Sequence, residues 1–167
     1  AARLIKNVSF CRNLKEMLER ASPGVVYVTT PVRSHFKIVS QLLDLGVQYV
    51  FVEKPPTVNS DQLHSLVMNK KPCQVVMVGF QKRFALPFRH AKMLLCEGVI
   101  GSEEHVSAHL KSGDIITATA RFDSLKRGVL LDLGIHLIDL LVWILGIDEV
   151  EESSYKKIHT NVDDYFR

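Results

Sequence analysis

Cysteine is scarce in this chain, with three residues, Cys11, Cys73 and Cys96, among 167. An odd number without metal-ligand spacing argues against a disulfide framework and a thiolate metal centre. Reduced thiols in a cytoplasmic protein are expected. An excess of one charge is missing as well. Lys and Arg number 21 against 18 Asp and Glu, a net charge of +3. The dipeptides Lys70-Lys71, Lys82-Arg83 and Lys156-Lys157 are among the densest basic spots. Such scatter reads as solvated surface, so no nucleic-acid partner is expected. There is no internal repeat and no low-complexity tract. No basic segment followed by a small-residue cleavage site opens the sequence, and no signal peptide is expected.

An uninterrupted apolar run long enough for a bilayer is also lacking. Val129 to Ile147 comes nearest, but it contains Asp132, His136 and Asp139. An Asp near the bilayer centre costs roughly 2.5–3.5 kcal/mol even on the mild insertion scale. A buried helix of a soluble protein is expected instead, with no membrane partner.

What is present is apolar residue at strand and helix spacing. With 47% hydrophobic residues the chain can build a real core, as one large domain or parts of two. Asn7 to Phe10 reads as a short strand, and a helix follows through Leu14, Met17 and Leu18 until Ser22-Pro23-Gly24. Val25 to Val28 is a continuous apolar run of the kind buried on both faces of a parallel sheet. A helix from about Ser34 to Gly46 leads to a second strand, Tyr49 to Val52. A third helix, capped by Asn59 or Ser60 and ended before Pro72, leads to a strand over Gln74 to Gly79. Strand–helix–strand repetition at this spacing predicts right-handed crossovers and a parallel α/β sheet.

After Phe80 the pattern changes, and a domain boundary is expected there, dividing 1–80 from 81–167. A helix over Pro87 to Glu97 ends at Gly98. Glu104 to Lys111 alternates apolar with polar residues, which predicts a half-exposed strand of an antiparallel sheet. Ser112 to Arg127 reads as a long polar loop.

Two constellations carry chemistry. Glu53-Lys54-Pro55 ends the second strand, at the carboxyl edge where ligands bind in open α/β sheets. Proline restricts the residue before it, so backbone geometry aims Lys54. Alone, such a lysine is equally a surface residue. In the helix from Gly128 to Leu145, Asp132, His136 and Asp139 fall within roughly 60° of arc at about 100° per residue. That stripe is either a general base with an orienting acid or a satisfied buried His–Asp pair. One His with two Asp is a weak metal set, and no metal is expected. His35 near a strand-to-helix turn, and Gln81 and Arg83 after a strand end, could each meet a ligand or be surface residues. His90, His105 and His109 have no partner at useful spacing.

Together these residues resemble the glucose–fructose oxidoreductase/inositol dehydrogenase/MocA-like (Gfo/Idh/MocA) family. The resemblance rests on Thr30-Pro31…His35, Glu53-Lys54-Pro55, Val78-Gly79-Phe80-Gln81-Lys82-Arg83-Phe84, Gly128…Asp132-Leu-Gly134-Ile-His136-Leu-Ile-Asp139, and Asp163-Asp164-Tyr165. It implies a Rossmann-type parallel sheet over 1–80 and part of an α+β substrate or oligomerisation domain with an antiparallel sheet over 81–167. It implies an NAD- or NADP-dependent oxidoreductase acting on a sugar, cyclitol or nucleotide-linked sugar, with a homo-oligomer formed through the second-domain sheet. Lys54 would bond the reacting oxygen, His136 would take the hydroxyl proton and Asp132 would position substrate and base. Arg83 would help hold the substrate. Thr30, Pro31, His35, Glu53, Pro55 and Gln81 would line the cofactor side, and the Lys54–Pro55 bond would be cis. The family's Gly-x-Gly-x-x-Gly and the adjoining NAD/NADP-selecting residue do not occur in these 167 residues, so a piece truncated at both ends is expected. A non-catalytic nucleotide- or sugar-binding regulator of the same fold is the alternative.

Overall fold

The computed structural model of the chain describes residues 8–101, 105–110, 133–147, 157–159 and 164–166. The chain divides into two compact units, Ala1–Gly79 and Phe80–Arg167.

The first unit is a three-stranded parallel sheet in the order β1 (Val26–Val28), β2 (Tyr49–Val52), β3 (Val75–Val78). Val26 stands beside Val50, and Val50 beside Val76. Helices α1 (Leu14–Ala21), α2 (Val32–Asp44) and α3 (Ser60–Asn69) accompany it. The helix ends follow local chemistry. Asn13 Oδ1 accepts from Glu16 N–H and Asn59 Oδ1 accepts from Gln62 N–H, each at 2.9 Å, which satisfies one orphan donor per helix. Gln62 and Glu16 reach back to the backbone N–H of Val58 and Arg12, closing each start from the other side. Gly46 ends α2 with φ +83°, a conformation glycine adopts without a Cβ penalty.

Val26, Val28, Val50 and Val52 pack with Val39, Leu42, Leu43, Val47 and Leu66 into one core, with Leu14, Met17 and Leu18 against it. The opposite sheet face is open among the described residues. Tyr27 is 67% exposed, Tyr49, Val75 and Met77 are exposed too, and the Tyr27 and Phe51 rings lie 5.2 Å apart on that side. The expectation that Val25 to Val28 is buried on both faces is therefore corrected. The strand order β1-β2-β3 advances in one direction, and crossovers of one hand then put α2 and α3 on the same face, where both contribute to the one core.

Gln74 is a buried polar residue at the base of β3. Its Nε2 donates to Leu43 O at 2.9 Å and Val47 O at 3.0 Å, while its Oε1 accepts from Lys71 N–H at 2.9 Å. One amide thus closes the end of α2 against the start of β3. Gln74→Leu takes the side-chain donor from Val47 O, while Leu43 O keeps the Gly46 N–H at 3.0 Å and Lys71, on an exposed residue, can turn its N–H to water. A loss of about 1–3 kcal/mol in urea unfolding is expected for the variant, with no change in the slope that reports exposed area.

The second unit begins with a 3-10 turn, Gln81–Phe84, and α4, Leu86–Cys96, which starts with Pro87 in its first turn and stops before Gly98 at φ +69°. Helix α5 spans Ile135–Leu145 and ends at Gly146 in the left-handed region. Strands β4 (Lys157–His159) and β5 (Asp164–Phe166) pair antiparallel, Ile158 beside Tyr165. Two expected strands are absent among the described residues. Residues 8–10 and 105–110 form no ladder. Alternation prepares a segment for one face of a sheet, but a strand exists only where a neighbour takes its hydrogen bonds. The expected start of the α5 helix at Gly128, and the loop 112–127, lie outside the described residues. No helix among the described residues is long and apolar enough to cross a membrane.

Candidate active site

In the first unit, the turns after β1 and β2 meet at the carboxyl edge of the sheet. Glu53 N–H donates to Val28 O at 3.0 Å, extending the ladder one residue past β2. The first turn is closed by Ser34. Its N–H donates to Pro31 O at 2.9 Å, and its hydroxyl lies 2.6 Å from Pro31 O and 2.8 Å from Thr30 Oγ1. In the second turn the Lys54–Pro55 bond is cis, as the resemblance implies. Pro55 is buried while Glu53 and Lys54 are half-buried.

Glu53 folds back over the end of β3. Lys54 N–H donates to its Oε2 at 3.3 Å. A Cβ on Gly79 would stand 3.2 Å from that oxygen and 3.0 Å from Phe51 Cζ, close enough that the carboxylate or the ring would have to give by a few tenths of an ångström. Glycine at 79 is what lets the carboxylate lie there.

His35 is 1% exposed. Its Nδ1 is 2.8 Å from Pro55 O and its Nε2 is 2.6 Å from Thr30 O, so both ring nitrogens are engaged by backbone carbonyls. The residue is at the turn as expected, but beneath the edge rather than on its surface.

In the second unit, α5 presents its polar stripe inward. His136 is 5% exposed and Asp139 8%, whereas Ile138 and Val142 on the other side are exposed. The helix was expected to be packed on nearly all sides; its apolar flank is instead open among the described residues. Arg83 reaches across from the 3-10 turn. Its Nε donates to Asp139 Oδ2 at 2.8 Å and its Nη2 to Oδ1 at 2.5 Å, a two-pronged bond that planar guanidinium and carboxylate groups form well. That hydrogen bond to Asp139 is the main reason the Arg83 pKa is raised further above its already high value, with partial burial opposing it. Arg83 is charged throughout ordinary pH. The Arg83 guanidinium also lies 5.7 Å from the centre of the Phe80 ring, and Phe80 meets His136 edge-to-face at 6.4 Å between ring centres. Asp139, Arg83, Phe80 and His136 thus form one packed group.

A second cation, Lys92 of α4, donates to Trp143 O and lies 4.7 Å from the Trp143 ring centre, holding α4 against α5. Gln81 is exposed on the same 3-10 turn as Arg83. Asp132 lies outside the described residues. Among the described residues no group of three or more His, Cys, Asp or Glu could hold a metal ion.

The structure joins Thr30, Pro31, His35, Glu53, Lys54 and Pro55 at one edge of the first unit, and Arg83 with His136 in the second. Sequence reasoning missed Phe80 as the ring against His136 and Asp139 as the partner of Arg83. Asp139 was detectable as a member of the helix stripe. Its partner, 56 residues away, left no signal in the pattern.

Comparison with known proteins gives the family. Residues 2–80 match the GFO_IDH_MocA description, an oxidoreductase family with an NAD-binding Rossmann fold, and residues 88–167 match the GFO/IDH/MocA C-terminal domain. The chain is 28% identical over 161 residues to D-glucoside 3-dehydrogenase of Escherichia coli, covering 92% of this chain and 46% of that protein. It is 27% identical over 147 residues to scyllo-inositol 2-dehydrogenase (NAD(+)) of Bacillus subtilis, covering 87% of this chain and 42% of that one. The chain therefore spans less than half the length of these relatives. Among solved structures, scyllo-inositol dehydrogenase of Lactobacillus casei with bound NAD(H) and scyllo-inositol shares the fold at a TM-score of 0.60 and 24% identity, covering 78% of this chain and 39% of that one. Myo-inositol 2-dehydrogenase of Lactobacillus plantarum does so at 0.61 and 22%, covering 81% of this chain and 41% of that one. The chain belongs to the GFO/IDH/MocA oxidoreductase family, with residues 2–80 in its NAD-binding Rossmann part and 88–167 in its C-terminal domain.

Proposed function

We propose that the whole protein oxidises a hydroxyl carbon of a sugar, cyclitol or nucleotide-linked sugar, using NAD or NADP. The observation that carries this reading is the placement of Lys54, in the Glu53-Lys54-Pro55 turn, at the carboxyl edge of a parallel sheet. That edge is where dinucleotides bind in such sheets. The donor set there fits a nicotinamide nucleotide: a threonine hydroxyl at Thr30, the Glu53 carboxylate for sugar hydroxyls, and an ammonium at Lys54. When bound, the nicotinamide supplies the hydride acceptor.

The chain's own residues then divide the remaining work. Lys54 donates a hydrogen bond to the reacting oxygen and offsets the negative charge that develops on it as the proton leaves. His136 accepts that proton at a ring nitrogen; imidazole is suited to this near neutral pH. Asp132 positions the substrate and the base. Thr30, Pro31, Pro55, Glu53 and Gln81 line the cofactor side, with His35 beneath them. Arg83 holds Asp139 and has further N–H groups for a substrate hydroxyl. The relatives named for glucosides and inositols make polyols with ring hydroxyls the first substrates to try. The 1–80 and 81–167 parts serve as cofactor and substrate domains in this reading, and the antiparallel sheet of the second would carry any homo-oligomer.

The test is cofactor reduction followed by absorbance, with NAD or NADP and a panel of myo-inositol, scyllo-inositol, glucose and methyl glucosides. Reduction with at least one polyol is expected. Tight cofactor binding with no reduction by any of them would favour a non-catalytic binding protein of the same fold.

A further inference from the structure

His35 makes two contacts that a neutral imidazole cannot satisfy together. Pro55 O lies 2.8 Å from Nδ1 and Thr30 O 2.6 Å from Nε2, and both are carbonyl oxygens that only accept. A neutral ring carries one N–H, so its other nitrogen would set a lone pair against a carbonyl oxygen at hydrogen-bond distance. With hydrogen on both nitrogens the two contacts become charge-assisted hydrogen bonds. At these distances both contacts are direct, and at 1% exposure the ring is out of reach of bulk solvent.

The two acceptors belong to different turns. Thr30 follows β1 and Pro55 follows β2, immediately after Lys54. His35 itself sits in the first turns of α2 and is anchored by the core that holds Val39, Leu42 and Leu43. The first turn carries the hydroxyls of Thr30 and Ser34, 2.8 Å apart, and Arg33 between them in sequence. The second carries Glu53 and Lys54, one charge of each sign.

We infer that His35 is a positioning residue: an imidazolium that ties the Thr30–Pro31 turn to the Lys54–Pro55 turn and so sets where Lys54 stands. The ring touches neither cofactor nor substrate in this assignment. Its effect on turnover rests on the catalytic reading of Lys54 above, but its double protonation does not.

The test begins with the intact, unmodified protein at neutral pH, using nitrogen-15 NMR of the histidine rings. The expected result is a buried ring with both nitrogens protonated and slowly exchanging N–H protons, distinct from the exposed His64 and His90. A buried His35 ring with one nitrogen bearing a lone pair would overturn the inference. The second arm is kinetic. His35→Phe fills the volume without a donor and is expected to lower kcat about ten- to a hundredfold with little change in polyol KM, the pattern of a displaced reacting group. His35→Gln, which keeps a donor, is expected to recover part of that loss. A folded His35→Phe protein with undiminished kcat would overturn the positioning role. If His35→Phe does not fold, the ring-nitrogen signals of the unmodified protein decide. If Lys54→Met retains full turnover, the catalytic reading of the turn fails, and the same signals still decide whether His35 ties the turns together.

Discussion

His136→Ala is expected to lower kcat by about a hundredfold to ten-thousandfold, the range in which a positioned acid–base group contributes. Cofactor affinity is expected to stay unchanged, because His136 is not among the residues assigned to the cofactor side. The size of the effect follows from the surroundings of the ring. His136 is buried on α5 against the edge of Phe80, so no solvent group can replace it without rearrangement. Asp139, three residues on, is already committed to Arg83 through two bonds and is poorly placed to take over as base. Single-turnover measurement of cofactor reduction, alongside a binding titration of the cofactor, separates the two quantities. A His136→Ala protein that reduces cofactor at the unmodified rate would remove the residue from the mechanism. His136→Asn, which keeps a polar side chain of smaller size, is expected to be nearly as slow, since an amide cannot accept a proton near neutral pH.

Lys54→Met is expected to cost about 10²–10³ in kcat, the loss typical of removing one donor aimed at developing charge. Methionine keeps the unbranched stem and discards the ammonium, so the half-buried packing of the turn is retained. Lys54→Arg is expected to rescue little. A guanidinium is larger and planar, and spreads its donors in a fork where a single compact donor is needed. The readout is kcat at saturating cofactor with the best polyol of the panel. Circular dichroism and the thermal midpoint would confirm that the turn still folds. Retention of full turnover in Lys54→Met would leave the Glu53-Lys54-Pro55 turn as a structural feature only.

Much of the first unit was legible from local patterns. The apolar runs at Val26–Val28, Tyr49–Val52 and Val75–Val78 became strands, with Asn59 and Gly46 marking helix ends where expected. Asn13, unnoticed in the sequence, caps α1 in the same way. These signals act within a few residues, so the chain declares them without its neighbours. The segment 105–110 shows the limit. Its alternation is as regular as any in the chain, yet it forms no strand among the described residues, because pairing is a property of two segments. The open face of the sheet was likewise hidden. Nothing in Val-Val-Tyr-Val tells which side a crossover helix will take.

The site divides along the same line. Lys54 and His136 were found from their positions at a strand end and on a helix stripe. What holds them was not. His35 bridges to Pro55 over 20 residues and Arg83 to Asp139 over 56. By itself the sequence determined the order of strands and helices from β1 to β3, their parallel crossovers, the Glu53-Lys54-Pro55 turn at a strand end and the shared face of His136 and Asp139. Those follow from backbone preference and side-chain period, which are local. Only the tertiary structure decided that both nitrogens of His35 meet carbonyls, that Arg83 is clamped to Asp139, and that Gly79 makes room for Glu53. Each of these depends on how distant segments pack, and packing is settled by the whole chain at once.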